Sequence, residues 1–142
     1  MYFGEFHVAI DDKGRMRIPN KMKAQFGSSN VVICAGTDKS LFVMTEEEFD
    51  EWVGRFSEKA LMRDFEKQKA IRTISSSVFF PEEDAQGRFI LPSKLKQYAQ
   101  INKKVIFLGV KNRVEIWAEE NYEKEYGVEN WDINSAVNTL WT

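Results

Sequence analysis

Two short segments of the chain place an aspartate, a glycine and an arginine at the same spacing, Asp11–Arg15 and Asp84–Arg88. In such a turn the aspartate can accept hydrogen bonds from backbone amides two residues further on, and the glycine adopts a positive φ without steric cost. The arginine carries a rigid fork of donors that suits phosphate groups and guanine edges. The chemistry these residue types favour is therefore the binding of a polyanion, with Asp11 and Asp84 holding the turns and orienting the arginines.

The two segments are parts of an internal repeat with the pattern D-x-x-G-R-x-x-x-P-x-K-x-K. The offset between the copies is 73 residues, from Asp11 to Asp84. The same offset, without a gap, also pairs Phe6 with Phe79, Val32 with Val105, Ile33 with Ile106, and Gly36 with Gly109. A match of this kind indicates a duplication, whereas a solenoid needs about three or more repeats.

Basic residues extend the candidate interface beyond the turns. The sequence favours Lys13, Arg15 and Arg88 as contacts, and Arg17 lies in the same acid-free run. For the later lysines, an ordinary solvated surface is as good an interpretation as phosphate binding; these are Lys21, Lys23, Lys94 and Lys96. If such residues neutralise phosphates, binding must weaken steeply with added salt.

The net charge of −2 conceals a segregated distribution. Residues 84–113 hold seven Lys/Arg against one Asp/Glu, and residues 114–142 hold one against seven. Local potential decides whether a polyanion can dock, so the acidic total does not exclude a nucleic-acid partner. Composition alone would favour the simpler interpretation, two solvated acidic helices and ordinary lysines.

Each copy predicts the same series of elements: a strand, the turn, a short strand that a proline ends, a short helix, two further strands and a helix. In the first copy, Thr45–Glu48 is a capping box, and Phe49, Trp52, Val53 and Phe56 follow at helical spacing. The second copy is predicted to begin with a strand at Phe79-Phe80. A helical segment at about Glu58–Ile71 is predicted to join the copies.

A half-barrel of short strands is unstable alone because its edges and apolar face are uncovered. Two copies can close each other, so the duplication predicts one pseudo-two-fold barrel in an α+β, mainly β chain with peripheral helices. The predicted parts are a first repeat at 1–57, a helical connector at 58–75, a second repeat at 76–127 and a C-terminal segment at 128–142. That last segment is apolar enough to pack on the body or on a neighbour.

Other classes of function find little support in the residues. His7 and Cys34 show no metal-ligand spacing, and no nucleophile with a base or phosphate-binding glycine loop is recognisable. We therefore expect no metal, no cofactor and no enzyme activity. The chain has no apolar run of membrane length and no recognisable signal peptide, which predicts a cytoplasmic protein without a membrane partner.

With both motifs in view, the sequence resembles the MraZ family over essentially its whole length. The segments that carry the resemblance are DDKGRMRIPNKMK, DAQGRFILPSKLK and VIFLGVKNRVEIW. The resemblance implies the swapped-hairpin, double-split β-barrel of AbrB-type regulators. It also implies a nucleoid-associated bacterial regulator of the cell-division and cell-wall gene cluster, which binds direct repeats in promoter double-stranded DNA as a ring-shaped homo-oligomer.

The resemblance also implies which residues contact DNA, namely Lys13, Gly14 and Arg15, with Gln86, Gly87 and Arg88 as the second set. Gln86 departs from the first copy, where Lys13 stands, so we expect the second turn to be electrostatically weaker. One alternative is an antitoxin-like interaction module of the same barrel class, which would need a long C-terminal arm that this sequence does not display. Another is a purely structural ring without salt-dependent DNA binding.

Overall fold

A computed structural model describes residues 1–55 and 62–142 of the chain. Phe56 of the predicted apolar stripe and residues 58–61 of the predicted connector lie outside the described residues. The rest of the connector contains a helix at Phe65–Ser75. No helix within the described ranges is long and apolar enough to cross a lipid bilayer.

The elements follow the predicted order, apart from the strand predicted to open the second copy. In the first copy they are β1 (Tyr2–Ala9), β2 (Arg15–Arg17), α1 (Asn20–Phe26), β3 (Val31–Ala35), β4 (Leu41–Thr45) and α2 (Glu46–Gly54). The connector helix is α3 (Phe65–Ser75). The remainder comprises β5 (Arg88–Ile90), α4 (Ser93–Tyr98), β6 (Lys104–Lys111), β7 (Val114–Ala118), α5 (Glu119–Tyr126), a 3₁₀ turn (Val128–Asn130) and α6 (Ile133–Trp141).

Local chemistry accounts for where several helices begin. Pro19 and Pro92 directly precede α1 and α4, where the fixed φ of proline suits a helix start. The predicted capping box at α2 is confirmed, because the Thr45 side chain accepts from the Glu48 amide and Glu48 accepts from the Thr45 amide. Phe49 and Trp52 of α2 pack against a small buried cluster that contains Phe42.

Both sheets combine strands from the two copies. A five-stranded antiparallel sheet has the order β1-β6-β7-β4-β3, and β2 pairs with β5 in a separate two-stranded ladder. Thus β1 and β4 of the first copy bond to β6 and β7 of the second. The α+β class is confirmed, and neither copy forms its sheet alone.

Closure into a single hydrogen-bonded barrel is not confirmed, since the larger sheet is open, with β1 and β3 at its edges. The second copy also lacks the strand predicted at Phe79-Phe80: Phe79 forms only an isolated bridge with Ile33. Pro81 follows closely, and a proline has no amide hydrogen with which to continue a ladder.

One principal apolar core joins both copies. It includes Met16 and Val43 from the first copy with Phe89, Phe107 and Ile116 from the second, all buried. Because β2 and β5 contribute Met16 and Phe89 to this core, the two turns that precede these strands are anchored to one rigid body.

Candidate nucleic-acid interface

The first turn, residues 11–15, is held by the Asp11 carboxylate. Its Oδ1 accepts from the backbone amides of Lys13 (3.0 Å) and Arg15 (2.8 Å), and its Oδ2 accepts from Arg15 Nε (2.7 Å). The Gly14 amide donates to the Asp11 carbonyl oxygen (2.9 Å), and Gly14 has φ +80°. The turn therefore fixes both its own backbone and the root of the Arg15 guanidinium.

The second turn, residues 84–88, repeats this geometry. Asp84 Oδ1 accepts from the amides of Gln86 and Arg88 (both 2.9 Å), and Oδ2 accepts from Arg88 Nε (2.8 Å). Gly87 also has φ +80°. In both copies the aspartate accepts hydrogen bonds from the amides of its turn and from the arginine Nε, which is the geometry that the sequence prediction requires.

The turns themselves favour the ionised aspartates. The pKa of Asp11 lies below its ordinary value of 3.8, first because the Arg15 amide donates to the carboxylate and further because of the Arg15 side chain and the Lys13 amide. The pKa of Asp84 is lowered chiefly by the Arg88 amide. Both carboxylates remain negative at neutral pH, so each arginine is held by a charged partner through Nε while its terminal nitrogens stay available.

The β2–β5 ladder gathers the arginines on one face. In its register Arg15 lies opposite Ile90, Met16 opposite Phe89, and Arg17 opposite Arg88. Met16 and Phe89 are each 2% exposed and face the core. Since side chains alternate along a strand, Arg15, Arg17 and Arg88 share the outer face with the exposed Ile90. An open groove of about 560 Å³ is lined by all three arginines.

Two of the candidate lysines cross to the turn of the other copy. A methyl group placed on Gly87 would lie 3.4 Å from Lys23 Nζ, and one placed on Gly14 would lie 4.0 Å from Lys96 Nζ. Lys23 is the last residue of the first motif yet lies beside the second turn. Lys96 is the last residue of the second motif yet lies beside the first turn. This exchange is a consequence of the strand pairing between copies.

Lys21 and Lys94 are placed differently. Each lies two residues before a turn-facing lysine on its helix, and residues at that spacing do not share a helix face. Lys94 Nζ contacts Ser76 Oγ at 3.4 Å. Of the four lysines that the sequence left open, the structure brings Lys23 and Lys96 to the turns.

Arg17 also reaches the second turn. Its Nη1 donates to the carbonyl oxygen of Gln86 at 3.1 Å. The second turn therefore gains a guanidinium from the first copy where it lacks the counterpart of Lys13. The expectation that the second turn is the weaker one, which rested on Gln86 alone, stays a prediction.

Sequence reasoning missed a second polar cluster, on the far side of β1. His7 Nε2 lies 3.0 Å from Glu5 Oε2 and its Nδ1 lies 3.5 Å from Glu119, while Tyr122 donates to Glu5 at 2.6 Å. The pKa of His7 is raised, mainly by the hydrogen bond with Glu5. The cluster joins residues 5–7 to residues 119–122, which are more than 100 positions away in sequence, so no local pattern could have indicated it. Within the described ranges no group of His, Cys, Asp and Glu could hold a metal ion.

Comparisons with known proteins identify the relatives of this chain. The chain is similar to curated proteins named "Transcriptional regulator MraZ": one from Moorella thermoacetica is 36% identical over 96% of this chain and 94% of its own length. Another, from Pediococcus pentosaceus, is 37% identical over 93% of this chain and 92% of its own length.

The class that fold and site define is a duplicated α+β protein with paired arginine turns on one surface. A family model described as "MraZ protein, putative antitoxin-like" matches residues 1–71 and 78–130. The chain belongs to the MraZ family.

Proposed function

We propose that this protein is a transcriptional regulator that binds double-stranded DNA through its two D-x-x-G-R turns. The observation that carries the proposal is the clustering of Arg15, Arg17 and Arg88 on the outer face of the β2–β5 ladder. Like charges directly across a ladder destabilise it, yet Arg17 stands opposite Arg88. A phosphate bound between them would relieve that repulsion.

Preorganisation supports specific recognition by the same surface. The aspartates fix Arg15 and Arg88 through Nε, so the arginines lose little conformational freedom when they bind. Guanidinium groups held in this way can reach phosphates or donate two hydrogen bonds to a guanine edge. Lys13, Gly14, Gln86 and Gly87 would contribute backbone or side-chain contacts at the turn tips, and Lys23 and Lys96 would flank them.

Several finer features belong to the proposal. The five-stranded sheet and the β2–β5 ladder would be the parts of a swapped-hairpin, double-split barrel, an arrangement that the pairing of strands between copies supports. The units would run over residues 1–57, 58–75, 76–127 and 128–142. The protein would act in the cytoplasm, associated with the nucleoid and without catalytic activity, on the promoter of the division and cell-wall gene cluster.

A ring-shaped homo-oligomer would present repeated turns to repeated promoter sites, so that individually weak contacts sum. Support comes from the C-terminal segment, whose large apolar side chains are exposed in the single chain. Trp131 is 66% exposed, and Leu140 and Trp141 are each 85% exposed. Apolar surface of this kind marks sites of protein association.

The test is binding to the DNA upstream of the protein's own gene over a salt series. We expect the logarithm of the association constant to fall linearly with the logarithm of salt concentration, and Arg15→Ala to abolish binding while the oligomer mass and circular dichroism stay unchanged. Lys124→Ala removes an exposed cation from the acidic α5 and serves as the control. Normal binding by Arg15→Ala at physiological salt would refute the site.

A second candidate, an antitoxin-like module that binds a protein, is favoured by the exposed apolar face of α6. That function would leave DNA affinity absent or independent of salt. In that case substitutions at Leu140 and Trp141, rather than at Arg15, would remove the activity.

A further inference from the structure

An acidic residue directly precedes the second turn, and the equivalent position before the first turn is not acidic. The ammonium of Lys23 forms an ion pair with the Glu83 carboxylate, directly before Asp84. Glu83 is 28% exposed and Lys23 is 42% exposed, so the pair lies at the surface where a phosphate would approach. The lysine that flanks the second turn is therefore already neutralised within the chain.

The first turn differs at the corresponding position. By the repeat offset the counterpart of Glu83 is Ile10, which packs against the apolar core. Lys96, which flanks Gly14, takes part in none of the ion pairs formed between described residues. The charge of Lys96 is therefore available to a ligand, whereas the charge of Lys23 is shared with the Glu83 carboxylate.

The cations around the two turns are otherwise balanced. Lys13, Arg15 and Lys96 lie at the first turn. Arg17, Lys23 and Arg88 lie at the second. Because Arg17 compensates for the missing counterpart of Lys13, the Lys13-to-Gln86 difference alone does not make the turns unequal. The first turn also carries an acid, Asp12, where the second has Ala85, but Asp12 forms no ion pair with another described residue. Glu83 makes the turns unequal, because it pairs with one of the three cations of the second turn.

We propose that Glu83 lowers the affinity of the second turn for DNA phosphate by holding Lys23, and so makes the two turns of one protomer unequal. The inference rests on the proposed function. Its consequence is directional: the first turn binds its phosphate firmly, and the second binds more weakly and is more easily released. Unequal half-sites give each protomer one preferred orientation on DNA, as an array of direct repeats requires.

The experiment measures DNA affinity of the full-length protein across a salt series for Glu83→Gln, Glu82→Gln and the double variant Glu83→Gln/Lys23→Gln. Glu82 is an exposed neighbouring acid that forms no ion pair with another described residue, so its variant makes the same change in net charge. We expect Glu83→Gln to bind about three- to tenfold more tightly at low salt, with a salt slope steeper by about 0.9 per new phosphate contact.

Glu82→Gln should leave the slope unchanged, and the double variant should return it to the wild-type value. Equal slope changes in the two single variants, or none in Glu83→Gln, would overturn the inference. If Arg15→Ala still removes binding in that case, the proposed function stands and only the role of Glu83 is lost. If the wild type shows no salt-dependent binding at all, both fail together.

Discussion

Asp11 and Asp84 would act on a DNA ligand indirectly, as positioning residues. Each carboxylate accepts two backbone amides and one arginine Nε, so one side chain sets both the shape of its turn and the direction of its arginine. The turn and the arginine are thereby coupled. A change in the charge of the aspartate alters both.

The titration of Asp11 reports this coupling. Because its pKa is lowered in the fold, the hydrogen bonds of the ionised carboxylate stabilise the turn fully above its ordinary value of 3.8 and are lost as pH falls through the folded pKa. The hydrogen bond from the Arg15 backbone amide is the largest cause of the lowered Asp11 pKa, and the variant Arg15→Gln retains this amide. We therefore expect this variant to raise the Asp11 pKa only part of the way to 3.8 in a carboxyl-carbon NMR titration. Full return to the ordinary value would show that the guanidinium, rather than the turn, sets the pKa.

The turns are elements in their own right, and each depends on a glycine. Gly14 and Gly87 both take φ +80°, in a region where a side chain would clash with the following carbonyl oxygen. At Gly14 the nearest atom to an added methyl group is Lys96 Nζ at 4.0 Å. There is room for the methyl group, so it is the backbone conformation that disfavours a side chain at this position.

Gly14→Ala should accordingly lower the free energy of unfolding by about 1–2 kcal/mol, the cost of a left-handed conformation. Gly54→Ala is the control: Gly54 is the last residue of α2 and no described atom lies within 4 Å of an added methyl group, so helix propensity predicts a gain of up to about 1 kcal/mol. Urea unfolding of both variants provides the measurement. Equal stability of Gly14→Ala and wild type would mean that the first turn readily takes another shape.

On the scale of the whole molecule, strand pairing between the copies joins segments that are distant in sequence. β6 of the second copy pairs along its length with β1 of the first, from Tyr2 opposite Lys111 to Ala9 opposite Lys104. The same strand pairs with β7 on its other side. The candidate interface packs on the core that both copies form. Loss of core packing in either copy therefore destabilises both turns.

Phe107→Ala tests that cooperativity. Phe107 is fully buried in β6, and truncating such a side chain costs about 3–5 kcal/mol. Phe3→Ala, at a position 60% exposed in β1, should cost far less. Hydrogen exchange in Phe107→Ala should accelerate together in β1 and β7, and unfolding should remain a single transition. Two separated transitions would indicate that the copies fold as independent units.

Local patterns predicted much of this architecture. Short-range chemistry determines the short helix after each motif proline and the capping box at Thr45, and both were predicted correctly. The strand expected at Phe79-Phe80 was not found, because its pairing depends on a partner strand that the sequence does not identify. Closure of the barrel was likewise inferred from the duplication, and hydrogen bonding between the strands leaves the larger sheet open.

The sequence by itself therefore determined the duplication, the two aspartate-held turns and Arg15 and Arg88 as their outward cations. The turns and their arginines follow from contacts within a few residues, and the duplication follows from the repeated pattern itself. Only the tertiary structure decided that Arg17 and Lys23 serve the second turn, that Lys96 flanks the first, and that Glu83 neutralises Lys23. Those placements arise from antiparallel pairing of β2 with β5, which joins residues about 70 positions apart in sequence.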